Sequence, residues 1–165
     1  MNKVILFPTL LIYVYLIGCL QKGLNPKLTT LKPFNILLTD STVCNIKKLP
    51  NNDFTILMYF DPNCKFSQQQ TETIIRNIKL LKNVHFYFFT NKSFITMNEF
   101  KEYYKLGNYK NITVGRDYTN YFSKEFSAYS YPWLVIYNKQ QKLKKVIIGG
   151  TDIETIKNLT SANPS

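Results

Sequence analysis

Cys64 and Ser67, in the stretch Phe60-Asp-Pro-Asn-Cys64-Lys-Phe-Ser67-Gln68, are the residues whose types and spacing point to chemistry. An apolar run, Phe54 to Phe60, meets an Asp-Pro turn, and Cys64 follows at the start of a helical pattern. A cysteine there is presented to unpaired N–H groups and to the positive end of the helix dipole, both of which favour the thiolate. Lys65 adds a neighbouring positive charge, and Ser67 stands where its hydroxyl could donate to the sulfur. A second cysteine three positions on would resolve a mixed disulfide. Ser67 cannot, because an alcohol is a poor nucleophile at neutral pH. Cys44 is the other thiol that could release such an intermediate, and its reach is open at this stage.

Other chemistries lack their residues. The single histidine, His85, lies in an apolar run with no second histidine, so no zinc-type cluster and no cofactor is expected. Three cysteines, Cys19, Cys44 and Cys64, at irregular spacing do not form a disulfide framework. The net charge is +11, but the lysines are scattered along the chain and arginine is limited to Arg76 and Arg116. That pattern reads as a solvated surface, and no nucleic-acid partner is expected. Asn91, Asn111 and Asn158 begin Asn-x-Ser/Thr triplets, which carry no weight in so Asn-rich a chain.

The elements that must position Cys64 follow from periodicity. Residues 33–41 read as a strand ending in a turn, 43–52 continue to a loop with Cys44 as a half-buried strand-edge residue, and 54–60 read as a buried central strand. From Phe66, apolar residues return at helical spacing at Ile74, Ile75, Ile78 and Leu81, and 84–90 is a second buried strand. Strand–helix–strand of this kind implies parallel pairing. A helix over 97–107 closed by Gly107, a strand near 111–115 and a short helix near 118–128 come next. Trp133–Asn138 and Leu143–Gly150 form a hairpin with Pro132 in front of it. A last helix over 151–159 has Thr151 and Glu154 placed for a capping box. Its 165 residues suit one domain without internal repeats.

The N-terminus reads as an address. Lys3 precedes an apolar stretch, Val4 to Ile17, which is short for a spanning helix and contains Pro8. Leu16-Ile-Gly-Cys19 resembles the bacterial lipobox, which implies a signal peptide over 1–18, lipidation of Cys19 and a tether over 19–32. The alternative is an uncleaved membrane anchor; with either, the domain over 33–165 is expected outside the cytoplasm, in the cell envelope and facing the periplasm or the cell surface.

This order resembles the thioredoxin fold, an α/β three-layer sandwich with a central mixed sheet and helices on both faces. Over roughly residues 33–160, these segments are similar to the TlpA-like thiol–disulfide oxidoreductases found as lipoproteins in Bacteroidetes. The resemblance puts the cysteine motif at Cys64-Lys65-Phe66-Ser67, the cis-proline at Pro132 after Tyr131, and the glycine pair before the last helix at Gly149-Gly150. It implies Cys64 and Ser67 as the reactive pair of positions, and Tyr131 and Pro132 as the edge that meets a client chain.

Three positions depart from that pattern. Ser67 stands for the second cysteine, Met58 lies near the place of a buried acid, and Gln70 takes the place of a carboxylate one turn after the motif. Two functions stay open: monothiol exchange with extracytoplasmic proteins that carry thiols or disulfides, or a redox-inactive binding module on the same scaffold. A peroxiredoxin-like peroxidase fits less well, because that family carries Thr three residues before its cysteine with a Pro farther upstream. Here those places hold Asp61 and Leu57.

Overall fold

A computed structural model describes residues 29–46 and 53–161. The signal segment, Cys19 and the first part of the tether lie outside the described residues. The strands are β1 (Asn35–Leu38), β2 (Val43–Asn45), β3 (Phe54–Tyr59), β4 (Val84–Thr90), β5 (Ile112–Arg116), β6 (Trp133–Tyr137) and β7 (Leu143–Ile148). The helices are α1 (Lys65–Arg76), α2 (Phe94–Tyr103), α3 (Tyr121–Phe126) and α4 (Ile153–Leu159). One seven-stranded mixed sheet has the order β2-β1-β5-β4-β3-β6-β7. β3 runs parallel to β4 and antiparallel to β6, and β4 runs parallel to β5.

The sheet is covered on both sides, and the sequence of β3 shows why. All six of its residues are buried. Alternate side chains point to opposite faces of a strand. Ile56 and Met58, continued by Phe60, pack with Ile74 of α1, Met97 and Phe100 of α2 and Ile156 of α4. Leu57 and Tyr59 pack with Phe122 and Phe126 of α3 and with Leu31 and Phe34 from the N-terminal segment. β4 divides the same way, Phe86 and Phe88 to one face and Tyr87 and Phe89 to the other. A strand with two dry faces has no need of polar alternation, which is why both read as continuous apolar runs.

Several local readings change. The segment after β1 does not pass into a loop: β2 turns back antiparallel on β1, pairing Ile36 with Cys44. The turn is held by Asp40 Oδ1, which accepts from the Thr42 N–H at 2.9 Å, while Ser41 takes a positive φ of 67°. Residues 29–32, expected to end a tether, join the fold. The Leu31 N–H donates to Gln141 O at 3.1 Å, and Leu31 is buried.

α2 starts earlier than 97. Ser93 caps it by accepting from the Thr96 N–H at 3.1 Å. It ends at Tyr103, and the left-handed residue after it is Lys105 (φ 51°), while the expected stop, Gly107, lies in a following 3-10 turn. The cap of α4 is Asp152 rather than Thr151. Its carboxylate accepts from the Thr155 N–H at 2.7 Å, and the Thr151 N–H is engaged elsewhere. α3 has no capping side chain at its first residue. Asp117, which is buried, accepts from the N–H groups of Tyr121 and Phe122 at 2.9 and 2.8 Å.

Candidate functional site

β3 delivers the chain to the motif turn at one end of the sheet. The Cys64 N–H donates to Asp61 O at 3.0 Å, which closes the turn, and Asp61 Oδ1 accepts from the Asn63 N–H at 2.9 Å. Gln68 ties α1 back to the turn by donating from Nε2 to Pro62 O at 2.9 Å. Cys64 is thereby fixed as the N-cap residue of α1, with extended backbone angles (φ −83°, ψ 119°) and no side-chain cap bond of its own. Its sulfur is free for another partner.

That partner is the loop before β6. The Tyr131–Pro132 peptide bond is cis, and the Cys64 thiol donates to Tyr131 O across 3.8 Å. Two positions 67 residues apart in sequence are thus brought face to face. Cys64 is half-buried and unpaired with any cysteine. Phe66 is exposed in the motif, and Ile148 is exposed at the end of β7, where its Cα partner is Trp133. Trp133 itself does not line an opening. It is buried against Phe122, with ring centroids 6.1 Å apart.

Ser67 does not reach the sulfur. It is fully buried, and its Oγ accepts from the Asp61 N–H at 3.4 Å, so the hydroxyl faces the base of the turn instead of the thiol. The expected hydrogen bond from Ser67 to a Cys64 thiolate is absent among the described contacts. Gln70 also has a structural task. It is buried, and its Oε1 accepts from the Thr151 N–H at 2.6 Å, joining α1 to the approach of α4. Gly149 beside it has φ +94°, a left-handed conformation that glycine adopts without strain. Met58 is fully buried in the core beneath the motif.

One charged group near the motif was not anticipated. Lys92, just past the end of β4, pairs with Asp61 at 2.9 Å. The bond and charge of Asp61 hold the Lys92 ammonium above its ordinary value. A lysine two residues beyond a central parallel strand, at the end where sheets of this kind place their ligands, was the available signal. Lys65, the cation expected to act, is exposed.

Cys44 cannot resolve a Cys64 intermediate. It lies on the edge strand β2, four strands from β3. At ~4.8 Å per strand that is roughly 19 Å, against the limit of about 7 Å between Cα atoms that a disulfide can span. Burial also pushes the Cys44 thiol above its ordinary value. Among the described residues, no three His, Cys, Asp or Glu side chains converge as metal ligands, and no helix is long and apolar enough to cross a membrane.

No protein-family model and no curated protein matches the chain. Solved structures do. The thioredoxin domain of a thiol-disulfide oxidoreductase from Bacteroides vulgatus superimposes with a TM-score of 0.67 at 10% identity, covering 81% of this chain and 97% of that one. The exposed lipoprotein thioredoxin of Streptococcus pneumoniae gives 0.59 at 18% identity, covering 76% and 95%. A reduced 2-Cys peroxiredoxin from Plasmodium vivax gives 0.63 at 12% identity, covering 79% and 77%. The fold is therefore thioredoxin-like α/β. That is a statement of class, and identities this low carry the fold alone.

Proposed function

We propose that this chain is an exported thioredoxin-fold protein that exchanges disulfides through the single thiol of Cys64. The observation that carries the reading is the pairing of a free, half-buried sulfur at the start of α1 with the Tyr131 carbonyl 3.8 Å away. The Cys64 thiolate attacks a client disulfide. A bond forms between Sγ and one client sulfur, the client S–S bond breaks, and the other client sulfur leaves as a thiolate that takes up a proton. No net oxidation occurs. Release needs a second thiol from the client or from solution, because Ser67 is turned inward and Cys44 is out of reach. Clients are extracytoplasmic proteins with thiols or disulfides, met along the edge at Tyr131 and Pro132. The lipobox-like Leu16–Cys19 supports lipidation of Cys19 and a membrane anchor, and a lipoprotein is among the structural neighbours.

The redox-inactive alternative has its own support, since Ser67, Gln70 and Met58 all serve packing or backbone bonds in place of proton or electron handling. The peroxidase reading does not, since Asp61 is engaged with Lys92 and offers no hydroxyl beside the sulfur. The deciding experiment is mass spectrometry of the purified chain after incubation with a disulfide-containing peptide. The proposal expects a single adduct, reversed by dithiothreitol and lost in Cys64→Ala. Absence of an adduct on Cys64 at neutral to alkaline pH gives the redox-inactive reading.

A further inference from the structure

The motif turn has a second neighbour besides the Tyr131 loop. Pro62 and Asn63 form one wall of a cleft of about 370 Å³ between α1 and α2. Its other walls include Glu72 of α1, Glu99 of α2, and Tyr103 and Tyr104 at the end of α2. The chain carries 21 Lys and Arg against 10 Asp and Glu, yet no Lys or Arg lines this cleft and two Glu do. In a basic protein, the cleft beside the motif turn is thus lined by acidic side chains and by no basic one.

The cleft's carboxylates are available. Glu99 has no ion-pair partner among the described residues. Glu72 is bonded to Arg76 at 3.0 Å, but the two side chains are 41% and 75% exposed, and such pairs exchange readily with another cation. Aromatic faces stand beside them. Tyr103 is 79% exposed, and its ring centroid lies 4.9 Å from that of Tyr104. Glu72 is close enough to Tyr104 that its charge, after burial, helps to hold the phenol proton on. Carboxylates together with open aromatic faces suit a cation on an alkyl stem, which gains from ion pairing, from the ring quadrupole and from burying its methylenes.

We infer that this cleft accepts a Lys or Arg side chain of the polypeptide whose sulfur is held at Cys64. The partner's identity as a thiol client rests on the exchange reading above. The position argues for a peptide over a free amine: Asn63 lines the cleft and is bonded directly to Cys64. An extended client chain advances ~3.3 Å per residue, so a basic residue three positions from the client cysteine is displaced by ~10 Å from the sulfur, the spacing that the peptides below sample.

The probe is a pair of synthetic peptides, each with one cysteine blocked as its methyl disulfide, that differ only in Lys or Glu three positions away. Non-covalent affinity is measured by tyrosine fluorescence on full-length Cys64→Ala in detergent, and adduct rate on the unaltered chain. The Lys peptide is expected to bind about tenfold tighter than the Glu peptide, and the ratio to fall to about twofold or less in Glu72→Gln/Glu99→Gln. Equal affinities, or a preference that survives both substitutions, overturn the inference. So does a dimer that dissociates in Glu99→Gln, which assigns the cleft to a second copy of this basic chain. The two readings fail separately. Equal adduct rates with no charge preference remove the cleft and leave the thiol. A charge preference without any Cys64 adduct removes thiol exchange and leaves a cleft for basic peptides.

Discussion

Replacing Ser67 by cysteine tests whether the scaffold around the motif is intact. Ser67 is fully buried, three residues along the helix from the N-cap residue Cys64. Side chains at that spacing are neighbours, with Cβ atoms about 5–6 Å apart, near enough for a small adjustment to bridge them. The reduced variant should be close to neutral. The lost bond is a long one, 3.4 Å from the Asp61 N–H, so its removal costs at most about 1 kcal/mol, and a buried thiol recovers part of that as a small hydrophobe. Oxidation then closes a loop of about four residues. The chain-entropy relation gives ~2 kcal/mol for such a loop, and for a chain of this size each kcal/mol raises the melting temperature by about 2–4 °C. Ser67→Cys oxidised by glutathione should therefore melt roughly 4–8 °C above its dithiothreitol-reduced form. The double variant Cys64→Ala/Ser67→Cys should show no such difference. Thiol titration should report two fewer free thiols after oxidation, and the variant should reduce insulin where the unaltered chain does not. If both thiols remain titratable after oxidation, Ser67 and Cys64 are not the close helical neighbours that this reasoning requires. If the disulfide forms but insulin is not reduced, the groove at Tyr131 is not a client edge.

Two further expectations concern the supports of the site. Gln70→Leu keeps the volume but removes the acceptor of the Thr151 N–H; because Thr151 is half-buried and the Gln70 Nε2 itself lacks a partner, the net cost should be about 1 kcal/mol, read by urea unfolding, with faster amide exchange at Thr151. His85 bonds the Thr113 hydroxyl at 2.9 Å and stacks on Tyr87, and burial holds its imidazole below the ordinary value near 6.5 despite the charge of Asp53. As pH falls through 6.5 the unfolded chain takes this proton before the folded chain does, so stability should decline from there down to the folded value and then level off; thermal melts from about pH 7.5 to about pH 5 should show the decline, and the unaltered chain minus His85→Gln should isolate it.

The legible part of this fold was the part set by continuous burial. β3 and β4 announce themselves because two dry faces exclude polar residues, and the break at Asp61-Pro62 then locates the motif. Of β2 only Cys44 was legible, as a half-buried strand-edge residue; the strand itself was not, because Val-Cys-Asn carries neither a run nor an alternation. The caps were misplaced by one to a few residues for a different reason. Thr151 was the better capping box on paper, but its N–H is taken by Gln70, 81 positions away, a competitor that local sequence cannot show. Residue type also did not give orientation. Ser67 was visible as the missing thiol, whereas its turn toward Asp61 depends on how α1 seats on the sheet. The position of Lys92 after β4 was legible, but its pairing with Asp61 was not, because Asp61 follows a different strand.

These placements separate two properties that the sequence presents together. The groups that hold Cys64 in position are backbone and amide contacts: the Asp61 carbonyl, the Gln68 tie to Pro62, and the Gln70 tie to Thr151. None of them needs a second thiol or a buried acid. A chain can therefore lack both and still present one sulfur against the Tyr131 carbonyl. What those absent groups would alter is the fate of a mixed disulfide. With Ser67 facing the turn and Cys44 four strands away, an adduct on Cys64 has no route to release through a thiol of the described residues, so its lifetime would be set by a thiol that approaches from elsewhere. Under the proposed exchange, such a site would hold a client or pass it to another thiol rather than reduce it repeatedly. A second point of contact at the neighbouring cleft would then act on how readily an adduct forms, by raising the effective concentration of the client at the sulfur, and not on how long the adduct lasts.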